Sequence, residues 1–164
     1  SNKLKQITFW TMGSLSGSTY ANALALAAAF AIFGGILFIK ARELNAFAVG
    51  EDNARNIGVD VKRTKLTVLI CVSALIGVCV SIGGTIAFVG LVTPHAARFI
   101  AGPNHRRLLS ASAFAGAIFL MLCDLAARTL LSPLELPIGV VTSLIGAVAF
   151  IIIFYRARGK SGRA

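Results

Sequence analysis

Residues 66–97 read LTVLICVSALIGVCVSIGGTIAFVGLVTPHAA, thirty-two residues without one charge. Lys62, Arg63 and Lys65 stand just before this run, Arg98 follows it, and Gly83-Gly84 breaks it in the middle. One transmembrane helix needs roughly 20 apolar residues. The run is therefore too long for one comfortable span and long enough for two short ones folded back at the glycine pair. Both of its ends then lie on the same side of a bilayer.

Composition agrees with a membrane setting. Of 164 residues, 57% are hydrophobic and 13% charged, with a mean hydropathy of +0.83. That is more apolar surface than one soluble core of this size hides. A net charge of +10 raises nucleic acid as a partner, yet the bases sit in the gaps between apolar runs and do not interleave with aromatics as in a stacking groove. No nucleic-acid partner is expected. Cys71, Cys79 and Cys123 fall inside apolar runs, without the spacing of a disulfide framework or zinc site, and read as small packing residues. No metal site and no cofactor are expected. The chain opens on Ser1-Asn2 with no signal peptide, which leads us to expect the later part of a longer protein.

Working outward, residues 21–39 form another apolar block, residues 108–131 are apolar apart from Asp124 and Arg128, and residues 137–155 carry no charge. With the hairpin counted twice, this predicts an all-α, polytopic membrane helix bundle of about five transmembrane helices. Lys and Arg in short loops mark the cytoplasmic side. Lys40, Arg42, Arg55, Lys62, Arg63 and Lys65 lie in one loop, Arg98, Arg106 and Arg107 in the next, and Arg156, Arg158, Lys160 and Arg163 in the tail, together thirteen of sixteen bases. Five spans folded at Gly83-Gly84 place all thirteen inside, whereas one span over residues 66–97 would divide them. The expected organisation is an outer segment over residues 1–20, a bundle over 21–155 with a cytoplasmic loop at 40–65, and a basic tail over 156–164. Gly102-Pro103 and Pro133 read as helix stops, and Pro137 suits a first helical turn. Gly77 with Ser81, Ser112 with Gly116 and Gly139 with Ser143 repeat small residues at a spacing that lets membrane helices approach closely.

Within the 40–65 loop, residues 50–58 (GEDNARNIG) predict a short helix: Glu51 and Asp52 in its first turn, Arg55 near its end, Gly58 just beyond it. Such a cytoplasmic helix is either a docking knob or an ordinary solvated connector. Asp124 and Arg128, at i, i+4 with the acid first, share a helix face and can neutralise one another. Glu135 favours the N-terminus of the following helix. His95, after the kink expected at Pro94, reads as a hydrogen-bonded structural residue, and His105 as a solvated loop residue.

Several of these segments together resemble a known family: Leu44-Asn45 with Gly50-Glu51, Ala54-Arg55 and Gly58-Val59; the run GTIAFVGLVTPH at 84–95; Arg98 and Gly102; Asp124 with Ala127-Arg128; and ELPIGV at 135–140. They look like the permease subunits of ABC importers for ferric siderophores, haem and cobalamin, and they match the second half of such a subunit. The segment WTMGSLSG at 10–17 resembles the stretch before the sixth span there. The resemblance implies a multi-pass protein of the bacterial inner membrane that is not itself an enzyme. It implies an ATPase-coupling helix at Gly50, Glu51, Asp52, Ala54, Arg55 and Gly58, and an outer gate at Gly13, Ser14, Ser16 and Gly17. Arg128 would dock an extracytoplasmic binding protein. A cytoplasmic ATPase, a second permease copy and membrane lipid are the other implied partners. No Gly-x-x-x-x-Gly-Lys-Ser/Thr occurs in the chain, so the nucleotide cradle would lie on another polypeptide. Two other readings are an intramembrane hydrolase built on His95, Asp124 and Glu135, for which no nucleophile stands at recognisable spacing, and a noncatalytic membrane scaffold.

Overall fold

The computed structural model describes residues 2–130, 132, 134 and 136–161. Three of the long helical rods begin where a short polar side chain accepts an orphan N–H. The Thr19 hydroxyl accepts from Asn22 N–H at 3.3 Å. From there α2 (Tyr20–Ala29), a π-helical turn (Phe30–Gly34) and α3 (Gly35–Ile39) continue as one rod, Tyr20–Ile39. Asp60 opens α6 (Val61–Gly83) by accepting from Arg63 N–H at 3.1 Å. Asn104 opens α8 (His105–Thr129) by accepting from Arg106 N–H at 3.0 Å. The remaining helices are α1 (Asn2–Met12), α4 (Ala41–Ala48), α5 (Glu51–Asn56), α7 (Val89–Ala101) and α9 (Ile138–Ser161). Residues 2–12 are thus helical where the sequence reading expects only an outer segment. Lys3, Lys5 and Gln6 interrupt the apolar pattern and conceal it.

Among the described residues, four rods are long and apolar enough to cross a bilayer: Tyr20–Ile39, Val61–Gly83, His105–Thr129 and Ile138–Arg156. The return limb of the hairpin is different. α7 has 13 residues, about 20 Å at 1.5 Å per residue, short of a hydrocarbon core of about 30 Å. Residues 84–88 precede it without helix and add about 16 Å if extended. This segment runs down the side of α9: Thr85 lies beside Gly139, and Phe88 beside Gly146. The fifth limb is therefore a loop joined to a half-length helix, a form that membranes tolerate where the irregular backbone is covered by protein or lines a cavity.

α7 packs most extensively on α8, and both pack on α9. Cys123, Ala127, Ile138 and Val141 form a buried cluster where α8 turns into α9, with Leu15 and Ile86 packed against it. Burial within the spans is uneven, 28% for Ile138–Arg156 and 6% for Tyr20–Ile39, so α9 is central and the first rod peripheral. Cys71 and Cys123 are buried as expected of packing residues, whereas Cys79 is exposed. The small-residue pairs also divide. Gly139 is in tight contact, and Gly77 has nothing within 4 Å of the place a Cβ would occupy. Pro133 and Glu135, with the stop and capping roles expected of them, lie outside the described residues.

Candidate functional site

One end of the bundle is a junction of backbones. Gly84, at φ 70, closes α6, and a Cβ there would lie 2.3 Å from the Trp10 carbonyl oxygen. Only glycine combines that dihedral with that approach. Ser14 N–H donates to Gly83 O at 2.9 Å, Thr85 N–H to Trp10 O at 3.3 Å, and the Thr85 hydroxyl to Thr11 O at 2.5 Å. The broken limb's polar backbone is thereby partly satisfied by the 10–14 segment. α9 begins against the same point: a Cβ on Gly139 would fall 1.8 Å from Met12 O. Of the expected gate residues, Gly13 is buried with φ 74, Ser14 and Ser16 share a 2.8 Å hydroxyl hydrogen bond, and Gly17 is exposed with open space around it. Ser14, Ser16 and Gly17 line a groove of about 310 Å³ together with Trp10 and Gly84, and a second groove of about 720 Å³, lined by Thr11, Thr85, Ile86, Val140, Ser143 and Leu144 among others, opens on the α9 side of the same junction.

Phe88 is the residue at this end that sequence reasoning misses. It stands at φ 66, the one non-glycine residue at positive φ among the described residues, and its Cβ and ring abut Gly146. Such a conformation costs about 1–3 kcal/mol and persists only where its surroundings hold it. Nothing in the run AFVG announces it.

The opposite end is polar. α5 carries Glu51 and Asp52 in its first turn and Arg55 in its last. Gly58, at φ 87, follows the C-cap; its N–H donates to Arg55 O and that of Val59 to Ala54 O, both at 3.0 Å, the paired bonds of a Schellman ending. Glu51 accepts from Lys65 Nζ at 2.5 Å and from Arg55 at 3.2 Å. The Lys65 ammonium, with Arg55 adding to it, holds the Glu51 carboxyl below the usual carboxylate range. Ala54 is fully buried. Its side chain anchors α5 to the chain, and the outward face of the helix belongs to Asp52, Asn53, Arg55, Asn56 and Ile57.

Two further polar links hold this end. Lys40 Nζ donates to Glu43 at 2.7 Å, and the buried Thr64 hydroxyl donates to the other Glu43 oxygen. Asn45 Oδ1 accepts from His105 N–H at 2.7 Å and lies 2.8 Å from His105 Nδ1. His105 is accordingly not a solvated loop residue but the half-buried first residue of α8. Sixty positions separate it from Asn45, so no local pattern reveals the contact.

The other candidate residues are committed elsewhere. Arg128 Nε donates to Asp124 Oδ2 at 2.9 Å, with both side chains partly exposed. His95 Nδ1 lies 2.8 Å from Leu91 O, which makes Nδ1 the protonated nitrogen. His95 and Asp124 thus serve different partners, and Glu135 lies outside the described residues. Among the described residues no group of three His, Cys, Asp or Glu side chains is placed to hold a metal ion.

Long apolar rods around a discontinuous limb, sealed by glycine contacts at one end and carrying a mounted polar helix at the other, define a polytopic membrane protein of the transporter class. The chain belongs to the FecCD transport family, which matches residues 1–156. It is 43% identical over 99% of its length to the uncharacterised ABC transporter permease protein YvrB of Bacillus subtilis, covering 46% of that protein. It is 40% identical over 95% of its length to the hemin transport system permease protein HmuU of Yersinia pestis, covering 47% of it. A solved inward-facing conformation of a metal-chelate type ABC transporter superposes with a TM-score of 0.89 at 35% identity, over 95% of this chain and 50% of that one. The chain spans about half the length of the curated relatives it matches.

Proposed function

We propose that the chain is the ATPase-coupling half of an ABC importer permease for a bulky chelate of the ferric siderophore, haem or cobalamin class. The observation that carries this reading is α5, a six-residue helix fixed on its inner side by buried Ala54 and by Glu51–Lys65, with Asp52, Asn56 and Ile57 turned outward. An isolated helix of that length is not stable in water. Its mounting suits a rigid knob that receives force from a cytoplasmic ATPase. At the other end, the groove lined by Ser14, Ser16 and Gly17 suits a gate, and the partly exposed Arg128 suits a contact with an extracytoplasmic binding protein. A second copy of the permease would supply the facing wall of the path.

The test uses the intact transporter with its ATPase and binding protein. Ile57→Asp, at a side chain 71% exposed, places a charge in the docking face without entering the core. Chelate uptake and substrate-stimulated ATP hydrolysis should both fall severalfold while insertion persists. Unchanged coupling would leave α5 an ordinary connector and return the chain to the scaffold reading. Uptake measured across a panel of ferric siderophores, hemin and cobalamin identifies the cargo.

A further inference from the structure

A groove larger than those at the gate lies away from it. It measures about 840 Å³ and runs between the first rod, α6 and α8, with Phe30, Gly34, Phe38, Leu75, Ala113 and Phe114 among its walls. That volume falls in the range of ligand pockets. The π-helical turn Phe30–Gly34 interrupts the rod along this groove and is followed directly by Gly35. Neither Gly34 nor Gly35 puts a side chain into the space. Ser110 is the one polar side chain in the lining, and its hydroxyl is spent on Arg106 O at 3.2 Å. The walls therefore offer no free donor to a polar solute and suit hydrocarbon.

One mouth of the groove is cationic. Arg106 stands over the Phe38 ring with its guanidinium carbon 5.2 Å from the centroid. It shares a face of α8 with the lining residues Leu109, Ser110, Ala113 and Ala117 through i+3 and i+4 steps. Arg106 makes no ion pair among the described residues, and Arg107 beside it makes none. From Phe38 back to Phe30, and from Leu109 on to Ala117, is about 12 Å at 1.5 Å per residue. That is close to one leaflet of a core of about 30 Å. The mouth lies at the end of the bundle that the basic loops place in the cytoplasm, where the leaflet is anionic.

We propose that this groove is a binding site for an anionic phospholipid of the cytoplasmic leaflet, with one acyl chain between the Tyr20–Ile39 rod and α8 and the phosphate against Arg106. The lipid would serve as packing for the least buried span of the chain. The site depends on the membrane-spanning arrangement and not on the transport reading, so it can fail while coupling through α5 stands.

The test reconstitutes the full-length permease in phosphatidylcholine vesicles carrying a trace of phosphatidylglycerol, or of phosphatidylcholine, with a photoactivatable acyl chain, and maps the adducts by mass spectrometry. Adducts on the Phe30, Phe38 and Phe114 segments should be about fivefold more frequent with the phosphatidylglycerol probe, as one arginine near an anionic headgroup gives. Arg106→Gln, an exposed substitution, should bring that excess to the phosphatidylcholine level. Ala113→Phe should empty the groove of both probes. Equal labelling by the two probes in the unaltered protein would overturn the site as anion-selective. Absence of groove adducts, with these segments instead cross-linking to the permease's other half, would show that protein fills the groove and overturn the proposal outright.

Discussion

The two ends of the bundle are held by opposite chemistry. Where residues 10–14 meet Gly84, Thr85 and Gly139, backbone rests on backbone and the contacts are carbonyls, glycines and hydroxyls. At the other end, α4 and α5 are tied to α6 and α8 through Glu43–Thr64, Glu51–Lys65 and Asn45–His105. The first kind of junction depends on shape: it is indifferent to pH and salt and leaves no room for an added atom. The second depends on charge and partner geometry. It tolerates changes in volume on its outer face and responds to pH and ionic strength. Under the proposed function, the first kind of junction suits a gate and the second a reversible cytoplasmic dock.

The most damaging single atom should therefore be a methyl group at the sealed end. Gly139→Ala places a Cβ 1.8 Å from Met12 O, and overpacking of this kind costs about 1–3 kcal/mol. Thermal unfolding of the full-length permease in detergent should show a marked drop in Tm. Gly77→Ala, with nothing within 4 Å, should leave stability unchanged or raise it by about 0.5–1 kcal/mol through the better helix former. Equal behaviour of the two variants would mean that the seal is not a close-packed junction.

At the polar end the sensitive volume is Ala54. Ala54→Leu should destabilise by about 1–3 kcal/mol, whereas Asp52→Ala on the outer face should stay within about 0.5 kcal/mol. The reverse order would place Ala54 outside the fold's interior.

A pH series separates the ends further. The Lys40 ammonium and the Thr64 hydroxyl hold the Glu43 carboxyl below its ordinary value. Its contribution is thus full above the ordinary glutamate pKa and is lost as pH falls through the lowered folded value. Glu43→Gln should remove that part of the acid dependence, and Gly139→Ala should not. A profile unchanged by Glu43→Gln would relocate the acid sensitivity.

The smallest effect is expected at Arg128. Exposed ion pairs contribute about 0–1 kcal/mol, so Arg128→Glu should scarcely alter Tm while weakening association with the binding protein. A double-mutant cycle with an acidic residue of that partner checks this. No coupling energy to any acid on the partner's surface would leave Arg128 a structural companion of Asp124.

Local patterns carried much of the fold to the sequence reader. The α5 helix was legible because its acids, its base and Gly58 obey capping and dipole rules within nine residues. The turn at Gly83-Gly84 was legible because two glycines interrupt an uncharged run. What stayed hidden depends on distant partners or on backbone dihedrals. Ala54 reads like any helical alanine until packing buries it, Asn45 meets His105 across sixty positions, and Phe88 takes a conformation that its side chain does not favour. The shortness of α7 was hidden as well, since GTIAF at 84–88 is as apolar as the helix that follows and hydropathy alone cannot divide them.

The central claim is that the glycine-sealed end faces outward and the α5 end faces the cytoplasm. Single cysteines at Ser16 and Asp52, both exposed, in an otherwise Cys-free full-length permease test it most directly, using a membrane-impermeant thiol reagent on intact cells and on inside-out vesicles. The account predicts that Ser16→Cys labels only in cells and Asp52→Cys only in vesicles. Labelling of both positions from the same side would contradict it.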